Sequence, residues 1–133
     1  MTNTLKDMIL GADDIDYRDV EITEWNNVTV RVKALTDYQL GDYQAKTLAM
    51  RALAAKGDNG SDGVDIQYKD RKAEVVAMCL YDPETDKRIF QDKDAPALGK
   101  KSAGVVNGLY ALITKLSGLD RNFDERVEAA EGN

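Results

Sequence analysis

Asp82, Glu84, Asp86, Asp92 and Asp94 crowd one short stretch of this chain. Paired carboxylates can move protons as general acid and base, and clustered oxygens can hold magnesium. Lys87, Arg88 and Lys93 are interleaved with them. That alternation reads as a solvated surface of local ion pairs. The stretch Asp58-Asn59-Gly60-Ser61-Asp62-Gly63 has the outline of a calcium loop, with glycine at its sixth position. It fails at the ligands: Gly60 replaces an oxygen donor, and Lys69 stands where a bidentate glutamate is required. Gly57–Gly63 also lacks the lysine and the preceding strand of a phosphate-binding loop. Cys79, in the run VVAMCL, is the one cysteine, and the chain has no histidine. A Ser-His-Asp triad and a histidine-based zinc site are therefore impossible. The residues predict no catalytic, cofactor or metal site, and a protein that works by binding rather than as an enzyme.

Composition narrows the partners. The 133 residues are 43% hydrophobic and 32% charged, enough for one globular domain with a modest core. Twenty-four acidic residues outnumber eighteen basic ones, leaving a net charge of -6. Phosphate recognition needs a basic surface, so nucleic acid is not an expected partner. The opening apolar stretch, LKDMIL, is too short for a signal peptide or a membrane span. A lone cysteine predicted as a buried hydrophobe fits a reducing compartment, so a cytoplasmic protein without membrane contact is expected.

Periodicity then supplies the elements. Thr4 caps a short helix carrying Leu5, Met8 and Ile9 on one side, which Gly11 ends. From Tyr17 to Leu35 the apolar period is two, in YRDVEI and VTVRVK, with Glu24-Trp25-Asn26-Asn27 between them. That predicts a hairpin whose acidic outer face pairs with a basic one. Thr36 and Gln39 form a capping box for a helix reaching about Lys56, with Leu40, Tyr43, Thr47, Met50 and Ala54 on one face. A flexible loop is expected over 57–64. A helix from about Asp65 to Leu80 follows, with Tyr68, Lys72, Val75, Val76 and Cys79 aligned; Val75-Val76 leaves a buried strand as the alternative for its second half. Asp82–Asp86 is a turn, Arg88–Phe90 a short extended piece, and Asp94-Ala95-Pro96 a helix start. The last helix covers about Ser102–Ser117, aligning Val105, Leu109, Leu112, Ile113 and Leu116, with Gly118 as its C-terminal cap. Gly104 and Gly108, four apart, predict close approach of another element. A polar tail occupies 120–133. The expectation is an α+β fold: a mostly helical single domain, 1–133, with an N-terminal hairpin packed on three to four helices.

This order of parts resembles the tail assembly chaperones of long-tailed bacteriophages and prophages. The likeness lies in the hairpin EITEWNNVTVRVKAL, the capped helix, the glycine-rich loop, the helix ending VVAMCLYDPETDKRIF, the acidic DKDAPAL and the terminal LITKLSGL. It is densest from Val75 to Leu119. The resemblance implies a host-cytoplasmic protein, absent from the finished virion. Such a protein binds the tape measure protein, keeps it soluble and helps recruit major tail tube subunits, with weak homo-oligomerisation. It implies no catalytic residue. Members of this family are often made in two lengths by a ribosomal slip. Glu131-Gly132-Asn133 can be encoded as GAG-GGA-AAC, which contains the slippery heptamer G-GGA-AAC; a different glycine codon in the gene would remove that hypothesis. Candidate partner-binding residues are Tyr43, Met50, Leu109, Leu112 and Leu116, with Trp25 as an edge anchor. The competing expectation for each is a place in the core. Rival readings are another tail or head–tail adaptor component, and a small carboxylate-dependent enzyme or metal binder using the Asp82–Asp94 carboxylates.

Overall fold

A computed structural model describes residues 4–55 and 70–119. Its elements follow the chemistry of their ends. Helix α1, Leu5–Leu10, is capped by Thr4, whose Oγ1 accepts the Asp7 N–H at 3.1 Å. Strands β1, Tyr17–Ile22, and β2, Val28–Lys33, form the antiparallel hairpin, with Val20 opposite Val30 and Asp19 opposite Arg31. At its tip a single 3-10 turn, Thr23–Trp25, leads into Asn26 and Asn27, with φ of 60° and 61°. Asparagine enters this left-handed region more readily than most residues, so the Asn-Asn pair closes the turn.

Helix α2, Asp37–Ala55, begins at the expected capping box. The Gln39 N–H donates to Thr36 Oγ1 at 3.1 Å, and the Thr36 N–H donates to Gln39 Oε1 at 3.0 Å. Helix α3 runs Arg71–Cys79. The expected start of this helix, Asp65 to Lys69, and Tyr68 with it, lies outside the described residues. So do the expected 57–64 loop and the 120–133 tail.

The chain changes period directly after Cys79. Leu80 and Tyr81 form strand β3, pairing with Val32 and Arg31 of β2 and completing a three-stranded antiparallel sheet in the order β1-β2-β3. The expected helix therefore ends one residue early; Val75 and Val76 stay helical, which corrects the strand alternative for the second half, and the strand begins only at Leu80. Leu80, with none of its surface exposed, gains a ladder partner on β2's second edge that a further helical turn would forfeit. The Asp82–Asp86 turn reverses the chain, and Arg88 bridges back to Tyr81 as the extended piece anticipated. A 3-10 turn, Asp92–Asp94, leads into the short helix α4, Ala95–Leu98, with proline in its first turn.

Helix α5, Ala103–Leu116, ends in a Schellman motif. The Leu119 N–H reaches the Thr114 carbonyl at 3.0 Å and the Gly118 N–H reaches Lys115 at 3.1 Å. Gly118 holds φ at 73°, the left-handed value this cap requires. The Gly104 and Gly108 expectation is corrected. A Cβ built on Gly108 would meet nothing within 4 Å, and one on Gly104 would touch only the nearby Ser102 hydroxyl, at 3.7 Å. The buried side of α5 is Val105, Val106, Leu109 and Ile113, and both glycines lie away from it.

The core sits between the inner face of the sheet and the pair α3–α5. Val32, Val75, Val76, Cys79, Leu80 and Ile113 are its most enclosed side chains. Each large one contributes about 1.5–3 kcal/mol through removal from water. The Leu35 N–H donates to Ser117 Oγ at 2.9 Å, tying the end of the hairpin to the end of α5. The result is a small single-domain α+β fold, as expected from the pattern of periods. Among the described residues, no helix is long and apolar enough to cross a membrane.

Candidate protein-binding surface

Asp82, Asp86, Asp92 and Asp94 are each held by hydrogen bonds or ion pairs. Asp82 Oδ1 accepts the Glu84 N–H at 2.8 Å, and Asp94 Oδ2 accepts the Gln91 N–H at 2.8 Å. Asp92 pairs with Arg88 at 2.9 Å. Asp86 meets Lys33 at 2.9 Å and Arg31 at 3.3 Å, and Arg31 also binds Asp19 at 2.9 Å. Lys33 and then Arg31 hold Asp86 below the usual carboxylate range, and the Arg31 guanidinium does the same for Asp19. Tyr17 and Tyr81 lie beneath Arg31 and Lys33 at 4.5 and 4.3 Å, extending this ladder across the outer sheet face. Among the described residues, no group of three or more acidic or cysteine side chains converges on a point that could hold a metal ion. Burial pushes the Cys79 thiol up to about 12, which suppresses thiolate chemistry at neutral pH.

One buried charge remains among the described residues. Arg71, only 4% exposed, opens α3 and reaches into α2. Its Nε donates to Thr47 Oγ1 at 3.1 Å, its Nη2 to the Tyr43 carbonyl, and its Nη1 to Glu74. The guanidinium stacks over the Tyr43 ring at 4.1 Å. Burial raises the Glu74 carboxyl above its ordinary range, against the opposing pull of Arg71. A cleft of about 300 Å³ opens beside this clamp, with Tyr43, Met50 and Met78 among its walls. Because the Arg71 donors are committed to α2 and to Glu74, the clamp joins two helices and is not set up to receive an anion.

Two further clefts meet at the hairpin tip. One, of about 300 Å³, is bounded by Trp25, Val28, Pro83, Ile89 and Phe90. The other, of about 130 Å³, is bounded by Trp25, Phe90, Ala97 and Leu98, with Lys101 at its rim. Trp25 and Phe90 divide them, each half-buried and packed on the core beneath. Val28 and Ile89, both 43% exposed, widen the patch at the surface. The hairpin turn positions Trp25, and the return from β3 positions Ile89 and Phe90.

No family model, curated protein or solved structure matches the chain. The surface is therefore read from its own geometry. The six expected contact residues do not form one groove. Trp25 stands at the hairpin tip, while Tyr43 and Met50 face the Arg71 cleft. Leu109 is 6% exposed and belongs to the core. Leu112 and Leu116 are half-buried against that core, with Leu116 also facing a shallow hollow beside Leu35. Sequence reasoning missed Phe90, Ile89 and Val28 as neighbours of Trp25. The available signal was an aromatic and an isoleucine in a short extended piece following a turn, the position from which a hairpin tip can be covered.

Proposed function

We propose that this protein is a binding module of the tail assembly chaperone type. Its cargo is an apolar helical face of the tape measure protein, kept soluble until major tail tube subunits assemble around it. The observation that carries the reading is the pair of adjoining apolar clefts divided by Trp25 and Phe90. Exposed apolar surface rimmed by polar residues is a signature of an interaction site. Two clefts side by side suit two anchors of an amphipathic helix, one or two turns apart. Trp25 supplies the rigid aromatic contact on which binding energy tends to concentrate. The net charge of -6 favours solubility of a loaded complex.

The test is co-expression with the tape measure protein, followed by its partition between soluble and pelleted fractions. The expected result is a cargo that pellets alone, stays soluble with this protein, and pellets again with Ile89→Asp. A cargo equally insoluble with and without the wild-type chain would end the proposal.

A further inference from the structure

The two clefts at the hairpin tip differ in size and in charge. Among the described residues that wall them, the larger, of about 300 Å³, has Asp82 as its one charged side chain. The smaller, of about 130 Å³, has Lys101. Charges elsewhere on this side of the molecule hold one another: Arg31 binds Asp19 and Asp86, Lys33 binds Asp86, and Arg88 binds Asp92. Asp82 and Lys101 take part in no ion pair among the described residues. Asp82 Oδ1 accepts the Glu84 N–H at 2.8 Å, which fixes the carboxylate in its turn without cancelling its charge. Lys101 is exposed, and its own N–H is tied to the Leu98 carbonyl at 3.0 Å. The surface therefore has a negative end beside a wide apolar hollow and a positive end beside a narrow one. Trp25 and Phe90 form the ridge between them.

We propose that the surface selects a partner helix carrying four groups in a fixed order along one face: a base, a large apolar side chain, a small apolar side chain and an acid. This pattern rests on the cargo role of the surface and adds which helices it accepts. The large side chain, such as phenylalanine, fills the wide cleft, and its basic neighbour meets Asp82. The small one, such as valine, fills the narrow cleft, and its acidic neighbour meets Lys101. Positions i, i+4, i+7 and i+11 lie on one helix face, so a few turns carry all four groups. The spacing is symmetric, and turning the helix end for end exchanges charges and anchors together, so chain direction is immaterial. A helix with its two anchors exchanged and its charges kept fits in neither direction. One direction sets acid against Asp82 and base against Lys101. The other presses the large side chain into the narrow cleft. Discrimination thus comes from repulsion and overpacking as well as from attraction. Apolar contact alone would accept any amphipathic helix, and the paired rim charges narrow the choice.

Trp25 is the only tryptophan in the chain, so its fluorescence reports occupancy of this surface. Two synthetic helical peptides of identical composition and without tryptophan test the order. One carries lysine, phenylalanine, valine and glutamate at the four positions; the other exchanges the phenylalanine and the valine. The first should bind about tenfold tighter than the second. Lys101→Glu, at an exposed site, should weaken the first peptide about threefold or more with an unchanged circular dichroism spectrum. Replacing that peptide's glutamate by lysine should recover its affinity for the variant. Equal binding of the two peptides overturns the proposal. So does a folded Lys101→Glu variant that binds the first peptide like wild type. If neither peptide changes the Trp25 emission while the tape measure protein is still held soluble, the order is overturned and the chaperone reading stands. If the tape measure protein pellets as well, both fall.

Discussion

Arg71 is the one buried charged side chain among the described residues, and its position follows from the ends of its own fork. Two donors reach α2, at Thr47 and Tyr43, and a third reaches the Glu74 carboxylate. Arg71→Ala would leave Glu74 without its ion pair and α2 without its clamp. The expected cost is about 3 kcal/mol, read from urea unfolding, because breaking a buried pair strands the remaining charge. Arg71→Lys should lose part of that, since a single ammonium cannot replace the planar fork. The outer sheet face predicts a pH dependence. Asp19 and Asp86 titrate below their ordinary value of 3.8 in the folded protein. Their contribution is fully present above that value and is lost as pH falls below it, because the unfolded chain then takes up protons more readily. Glu74 acts with the opposite sign: its raised value makes acidification relieve a cost. Asp19→Asn should therefore lower the melting temperature slightly at neutral pH, as expected for an exposed pair, and leave it unchanged in acid, so that the acid limb of the profile flattens. An unaltered acid limb would show that the Asp19–Arg31 contact does not persist in solution.

At the scale of elements, Gly108 within α5 and Gly118 in the cap that follows it predict changes of opposite sign. Gly118 holds a left-handed φ of 73°, so Gly118→Ala should cost about 1 kcal/mol in thermal or urea unfolding. Gly108 lies inside the helix with open space where a Cβ would stand. Gly108→Ala should stabilise by about 0.5–1 kcal/mol through helix propensity and a less mobile unfolded chain. A destabilised Gly108→Ala variant would mean that another chain approaches that surface. The sequence conveyed the C-terminal cap because a Schellman motif is local, spanning Thr114 to Leu119. It misled on Gly108 because spacing alone does not say which side of a helix is covered.

At the scale of the whole molecule, the proposed cargo surface is assembled from three separate stretches: the hairpin tip, the return after β3, and α4. Ile89→Asp should leave the melting temperature close to wild type, since Ile89 is 43% exposed, while removing retention of a tape measure helix in a pull-down. A large fall in melting temperature would instead make Ile89 part of the packing. Trp25→Ala should affect both readouts, because the ring rests on the core and also walls the clefts.

The amino-acid sequence by itself determined whatever depends on near neighbours along the chain. The Thr4 cap, the Thr36–Gln39 box, the Asn-Asn turn, the alternating hairpin and the glycine cap of α5 are closed by bonds over a few residues, so their chemistry is written locally. It also set the α+β class, because the period of apolar residues switches between two and that of a helix. Tertiary structure decided what depends on distant partners. It turned Leu80 from helix to strand, because β2 offered an open edge and the core had room for a buried leucine. It sent Leu109 inward and gathered Trp25, Ile89 and Phe90 at one surface, because burial is a competition among all apolar groups for one interior, and local spacing cannot rank the competitors.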